Sequence, residues 1–382
     1  LDVNFLANGA KHQRKTKRSE TNNEQLSTKK QRNMKTLAPL LLLLLLGSCM
    51  PSTSLRVLQS AQLTVPEHIN TIALIDRSKP SNGWLNALEG LFTGEAIGQD
   101  RRSRQEAVNG LTNALTRTPR FTVKNTGIEM AGSKAGGNMA RPLDWAEIEK
   151  ICRDYGTDAV VAIESFDSDN SASATRQTTK RKDKSGKEYI DISYNSRQRT
   201  GVHIGWRTYD PKRKIIFDEY VTDDYLERTG RGDTERAALS NLPSQVSVTR
   251  DVAFNVGIEY GARIAPLYVY VSRSYYNKAK GFKAEMKQAA RYFEAKNMEQ
   301  ATNEWKKIIA KAGMTHKKAA GRATYNMAVA AEVNGNLEIA LDWAQKAWTA
   351  YGNKQARYYI NTIKDRQNDS RKVASQMPGK KV

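Results

Sequence analysis

Residues 156–166 read GTDAVVAIESF, and this stretch decides the fold. Its centre, 159–163, is apolar at every position without alternation, which is how a strand covered on both faces reads. The residues before it supply a helix. In LDWAEIEKICRDYG (143–156), Trp145, Ile148, Cys152 and Tyr155 recur at helical spacing and make one apolar stripe. Upstream, HINTIALID predicts a strand over 69–76, with Ile72, Leu74 and Ile75 as its apolar run. Val108, Leu111 and Leu115 follow at helix spacing within 101–117, and Pro119 ends that helix. RFTVKN (120–125) is a second short strand, and the Gly-rich AGSKAGGN (131–138) is a loop. Strand, helix, strand, helix, strand in this order predicts an α/β domain with parallel neighbours.

Downstream of 166 the pattern changes. Segments 189–195, 199–210 and 214–223 are β-branched, aromatic and alternating, and Asp210-Pro211-Lys212-Arg213 between the last two predicts a hairpin turn. Residues 234–241 and 249–264 read as helices, and LYVYVS (267–272) as one more strand that closes the domain. SASATRQTTKRKDKSGK (171–187) has no apolar residue larger than alanine and six cations against one Asp, so it reads as a hairpin tip or loop. Such a run is either a solvated surface or a basic finger for an anionic one.

The amino-terminal part carries a different signal. MKTLAPLLLLLLLGSC (34–49) has one cation, an apolar run over 37–46 and Gly47-Ser48 directly before Cys49. It resembles the lipobox of bacterial lipoproteins. That resemblance implies that Cys49 takes a diacylglycerol, that residues 34–48 are removed as a signal peptide, and that Cys49 becomes the acylated first residue. The apolar run is about half of the roughly 20 residues a spanning helix needs, which argues against a transmembrane segment. Residues 1–33 are polar and mostly basic, and are expected to be a non-native upstream extension.

From residue 49 onward the chain keeps 52 basic and 37 acidic residues, a net +15, of which +12 falls in 275–382. Two parts of different character are expected. The basic part favours an anionic or acidic partner; for an exported protein an acidic envelope protein or polymer ranks above nucleic acid. Cys152 has no second cysteine to pair with once Cys49 carries lipid, and on its apolar stripe it reads as a small buried hydrophobe.

The carboxyl-terminal part repeats itself. Ala289, Tyr292, Met298, Ala301 and Trp305 stand 39 residues before Ala328, Ala331, Leu337, Ala340 and Ala344, and Asn297 matches Asn336. The pattern looks like the tetratricopeptide repeat, with five residues inserted around 313–317 relative to the usual 34. The usual proline is missing and two copies fall short of a stable stack. Either a helix over 355–367 caps the array or the repeats lean on the α/β domain; an ordinary helical bundle is the plainer alternative. The repeat resemblance implies a concave groove for a peptide or protein partner, and Lys283, Lys287, Arg291, Lys306, Lys307, Lys317, Lys318 and Arg322 are candidates to line or rim it.

Catalytic and cofactor signatures are missing. His68, His203 and His316 are far apart, and Asp167-Ser168-Asp169-Asn170-Ser171 starts like a calcium loop but has Ala172 and Thr178 where Gly and Glu are required. No nucleophile elbow, Walker loop or dinucleotide turn is present, and Arg231-Gly232-Asp233 is read as a chance tripeptide. No cofactor, no metal and no enzymatic activity are expected.

The predicted organisation is an extension (1–33), a signal peptide (34–48), a lipidated tether (49–66), an α/β domain with a mixed sheet and flanking helices (67–274), an all-α tetratricopeptide-like domain (275–367) and a basic disordered tail (368–382). The α/β order is similar to the small domains of envelope assembly lipoproteins, of the curli-secretion type and of the lipoprotein activators of penicillin-binding proteins. Taken whole, the chain resembles an uncharacterised family of Gram-negative envelope lipoproteins with tetratricopeptide-type ends. The resemblance implies a scaffold or adaptor, anchored through Cys49 and recruiting an envelope protein through its basic helices. Met50-Pro51-Ser52 after the cysteine implies the outer membrane and a periplasmic face. A regulator of cell-wall synthesis or envelope assembly acting through the α/β domain is the rival, and a hydrolase of glycans or peptidoglycan a third reading.

Overall fold

A computed structural model of the chain describes residues 50–80, 94–133 and 138–379. The expected extension (1–33), the expected signal peptide (34–48) and Cys49 lie outside the described residues.

The main sheet is mixed and five-stranded. Its strands are β2 (Thr71–Pro80), β3 (Thr122–Ser133), β4 (Ala159–Lys182), β5 (Glu188–Asp210) and β6 (Ile215–Gly232), in the order β3-β2-β4-β5-β6. β2 runs parallel to both β3 and β4, while β4, β5 and β6 are successive antiparallel neighbours. Helix α1 (Gly94–Arg117) connects β2 to β3, and α2 (Trp145–Tyr155) connects β3 to β4. The two helices cover opposite faces. Val108, Leu111 and Leu115 of α1 pack with Ile72, Leu74, Val161 and Ile163, whereas Ile148, Ile151 and Cys152 of α2 pack with Ala73, Ile75, Val160 and Ala162. Residues 159–163 are therefore buried on both sides. Cys152 is buried, and burial pushes its thiol pKa up against a lowering hydrogen bond with Thr157.

After β6 come α3 (Glu235–Ser240) and α4 (Gln245–Ile264). α4 joins α1 on the same face, and the two approach closely: a Cβ on Gly110 would lie 2.0 Å from the carbonyl oxygen of Phe254, and one on Gly257 2.1 Å from that of Ala107. Trp206 of β5 is fully buried under α4, stacked on Tyr260 with ring centroids 4.5 Å apart.

Several expectations are corrected. The segment 49–66 contains a strand, β1 (Ser52–Gln59), paired antiparallel over its whole length with β7 (Leu267–Ser274). β7 therefore forms a separate two-stranded sheet instead of closing the main one; the partners lie over 200 residues apart, so no local pattern announces the pairing. The short strand 120–125 continues to Ser133, absorbing the start of the expected loop, because its second half pairs with β2 beyond Asp76 through a series of register shifts. The expected loop 171–187 is mostly strand: β4 and β5 stay paired out to Lys182 and Glu188, and the turn occupies only 183–187. There the Asp183 side chain accepts from the backbone N–H groups of Ser185 and Lys187, with Gly186 at φ +85°.

The carboxyl-terminal region is all-helical: α5 (Lys283–Glu294), α6 (Met298–Ala312), α7 (Lys317–Val333), α8 (Leu337–Thr349) and α9 (Lys354–Gln376). Its core gathers Met286, Phe293, Trp305, Ile308, Leu337, Ile363 and a run of alanines. The capping helix expected over 355–367 continues into the expected disordered tail as far as Gln376. Val373 and Gln376 are buried, and the Gln376 amide accepts from the backbone N–H of Ala61 and donates to the carbonyls of Ala61 and Leu63. The array is thus both capped and leaning on the rest of the chain.

Candidate functional site

Ligands of open α/β sheets bind at the carboxyl ends of parallel strands where the connections diverge to opposite faces. Here that place lies between β2 and β4, and it holds a charged cluster. Ile163 pairs with Trp206 and Ser165 with Gly205, so Glu164 is the extra residue of a β-bulge. The bulge aims the Glu164 carboxylate among Arg77 (Nη1 to Oε2, 2.5 Å), Arg207 (3.4 Å) and the Tyr209 hydroxyl, which donates to Oε1 at 2.5 Å. Glu164 is fully buried and both guanidinium groups are nearly so. Burial, then the Glu164 charge, pushes the Tyr209 hydroxyl up to about 12. Arg207 also binds Glu219 (2.6 Å) and the carbonyl of Ala140, and Arg77 the carbonyl of Arg141. With its oxygens committed to these donors, the carboxylate balances the two buried guanidinium groups. Four side chains from positions 77, 164, 207 and 209 meet here. Charge directly after an apolar run, Asp76-Arg77 after 72–75 and Glu164 after 159–163, marks two of them; Arg207 and Tyr209 carry no such mark.

Beyond the bulge, β4 and β5 leave the body as an arm. β6 supports it as far as Gly232 opposite Tyr194, and α3 covers one face at Ser196, whose hydroxyl donates to the Ala238 carbonyl. Further out no other described strand pairs with them. Tyr189 and Ile190 are exposed there beside Lys180, Arg181 and Lys182, of which Arg181 pairs with Asp191 (2.7 Å). The segment 167–171, whose start resembles a calcium loop, lies within β4, and among the described residues no group of three or more His, Cys, Asp or Glu could hold a metal ion.

The repeat positions Ala289, Ala301, Trp305, Ala328, Ala331, Leu337, Ala340 and Ala344 are buried in the helical core, with Tyr292 and Met298 packed against it. Asn297 caps α6 through the N–H of Gln300, whereas Asn336 makes no side-chain cap bond at α8. The basic candidates do not converge. Lys283, Lys287 and Arg291 project from α5, Lys306 and Lys307 from α6, and Lys317 and Lys318 from the start of α7, all exposed. Lys307 pairs with Glu304 on its own helix. Arg322 is turned inward, donating to the carbonyl of Lys278 and lying over the Tyr276 ring.

That last contact belongs to an arrangement the sequence did not announce. Asn326, fully buried on α7, clamps Tyr276 by accepting from its N–H (2.8 Å) and donating to its carbonyl (2.7 Å). Tyr276 packs edge-on to Tyr325. One side of α7 is therefore occupied by the chain's own segment 275–278, the peptide that leaves β7. Just before it, Arg273 of β7 makes a bidentate pair with buried Glu332 of α7, which also accepts from the Tyr359 hydroxyl. Burial and then Glu332 hold that phenol far above its usual range. A side of α7 where a partner peptide could have lain is taken by the linker.

A family model described as a domain of unknown function (DUF8603) matches residues 69–276, more than half of the chain. The chain belongs to that family. The DUF8603 region runs from the entry of β2 to the peptide that Asn326 clamps. A second model described as a domain of unknown function, DUF6340, matches 287–365 within α5 to α9. No curated protein matches the chain. Among solved structures, this DUF8603 chain is similar to TolB from Acinetobacter baumannii, with 13% identity over 55% of this chain and 31% of that one, TM-score 0.20. It thus spans about a third of TolB's length. It is also similar to a PelC dodecamer from Paraburkholderia phytofirmans (10% identity, 56% and 99%, TM-score 0.22) and to a minor lipoprotein from Acinetobacter baumannii (11%, 52% and 98%, TM-score 0.17). At these TM-scores the likenesses carry no argument about function.

Proposed function

We propose that this chain is a lipid-anchored adaptor of the bacterial envelope, held at the periplasmic face of the outer membrane through Cys49 and recruiting a protein partner through its basic helices. The observation that carries the reading is where the lipobox-like segment meets the fold. The carbonyl of Pro51 accepts from the N–H of Tyr275 (2.9 Å), so Met50 alone separates Cys49 from a fixed point of the body. An acyl chain there holds the folded domains at the membrane without a slack tether, as suits a scaffold. Among the described residues no helix is long and apolar enough to cross a membrane.

The recruiting surface is the exposed stripe of α5 on which Lys283, Lys287 and Arg291 recur at helical spacing. An acidic protein face is the complementary partner. The β4/β5 arm supports a second reading, a regulator acting through the α/β domain, because it presents apolar side chains beside cations.

In-cell photo-crosslinking from α5 and from the arm, followed by mass spectrometry, separates these readings. The adaptor reading expects one envelope protein captured from α5 and lost when Lys283, Lys287 and Arg291 are changed to Glu. Capture of that protein from the arm alone, insensitive to those changes, would replace it with the regulator.

A further inference from the structure

We propose that the open face of the β1/β7 sheet lies against the anionic lipid headgroups of the membrane that holds the anchor. The inference rests on the reading of Cys49 as lipidated.

Register defines the face. Residues directly opposite in an antiparallel pair share one side of a sheet. Arg56 is paired with Tyr270, Leu58 with Tyr268, Ser54 with Ser272 and Ser52 with Ser274. These side chains share a side and, apart from half-buried Leu58, are exposed. The other side holds buried Val57 and Arg273, whose guanidinium reaches Glu332 of α7. Tyr270 is 76% exposed, the most exposed of the large apolar and aromatic side chains among the described residues. The Arg56 guanidinium lies 3.7 Å from the centroid of the Tyr268 ring. Tyrosine and arginine suit the depth where headgroups meet water: the rings take the apolar side and the guanidinium reaches phosphate.

Chain length decides the occupant. With successive Cα atoms 3.8 Å apart, the Cα of Cys49 lies at most about 11 Å from that of Ser52. Pro51 is fixed to Tyr275, so the acyl chains enter the bilayer beside the end of this sheet, whichever way the rest of the body leans. The charge on this face comes from Arg56, four residues along β1 from Ser52. α9 docks past the far end of β1, with Asp369 accepting from the Ser60 N–H and Lys372 donating to the Gln62 carbonyl.

The test uses the full lipidated chain in vesicles of phosphatidylethanolamine and phosphatidylglycerol. Spin labels are placed by Ser272→Cys on the open face and by Ser185→Cys at the turn of the arm; Cys152 is buried and stays unlabelled. The expected result is that vesicles strip the Ser272 label of most of its access to a water-soluble nickel relaxant and leave the Ser185 label unchanged. Arg56→Glu combined with Tyr270→Ser should restore that access while flotation with vesicles persists, because the acyl chains still hold. Equal access at the two labels in floating protein overturns the face and leaves the anchor standing. Protection of Ser272 already present in detergent, without vesicles, means a protein contact or a second copy and also overturns it. A Cys49→Ser chain lacking 34–48 that floats as well as the unaltered one removes the anchor reading and takes the face with it; if neither floats, both fall.

Discussion

Residues 159–166 of β4 are all buried, whereas from Asp167 to Lys182 the same strand is exposed or half-exposed at every position. Both stretches make the same cross-strand ladder with β5. The ladder is thus common to root and arm, and burial separates them: a typical hydrogen bond adds only about 0.5–1.5 kcal/mol net, while each large apolar side chain removed from water adds about 1.5–3 kcal/mol. The root carries stability. The arm is a surface feature that costs the body little to hold or to lose.

The sharpest way to test this contrast is at its boundary. Glu164→Ala leaves Arg77 and Arg207 buried without their shared carboxylate, and should cost about 3–5 kcal/mol in urea unfolding. A loss below about 1 kcal/mol would mean the cluster is solvated and the root less closed than its burial implies.

A smaller effect is expected at the foot of the strand. Asp158 accepts from the N–H groups of Asn70 and Thr71 and from the Thr71 hydroxyl. Burial alone would raise its pKa, but these bonds outweigh it and the net shift is downward. A carboxylate lowered in the folded state contributes fully above its unfolded pKa, about 3.9, and loses that contribution as pH falls toward the folded value. Asp158→Asn should therefore cost about 1–3 kcal/mol at neutral pH and flatten the decline in stability between about pH 4 and the folded pKa. An unchanged acid limb in the variant would assign that decline to other carboxylates.

The smallest effect belongs to the arm. Deleting 179–182 together with 188–191 keeps the turn and brings Thr178 and Ile192, already paired, to its base. Thermal unfolding should then change by no more than about 0.5 kcal/mol, the usual range for surface changes. A loss above about 2 kcal/mol would show that the arm buttresses the body and would break the contrast.

The same contrast explains what could be read in advance. Residues 159–163 announce a buried strand because every position is apolar, and the stripe of Trp145, Ile148, Cys152 and Tyr155 announces α2, because both patterns are local. The alanines of α5 to α8 were legible for the same reason. In the arm, β4 offers only small and charged residues; its strand character comes from the partner carrying Ile190 and Ile192, which a reading of 171–187 alone does not contain. Glu164 owes its environment to a bulge and to three residues from other strand positions, and Asn326 to a segment some 50 residues earlier. Features assembled from distant stretches leave no periodicity behind.

The bond between Gln376 and Ala61 spans 315 positions, and it sets an order of events in folding. β1 emerges from synthesis early, yet its strand partner comes over 200 residues later and its helical support only at the far end of the chain. The entropy of closing so long a loop grows only logarithmically, but non-local closure is slow to find. The molecule therefore completes its beginning last. Trimming α9 should loosen the amino-terminal strand first, and a nascent chain stalled before α9 carries β1 without the helix that secures its end.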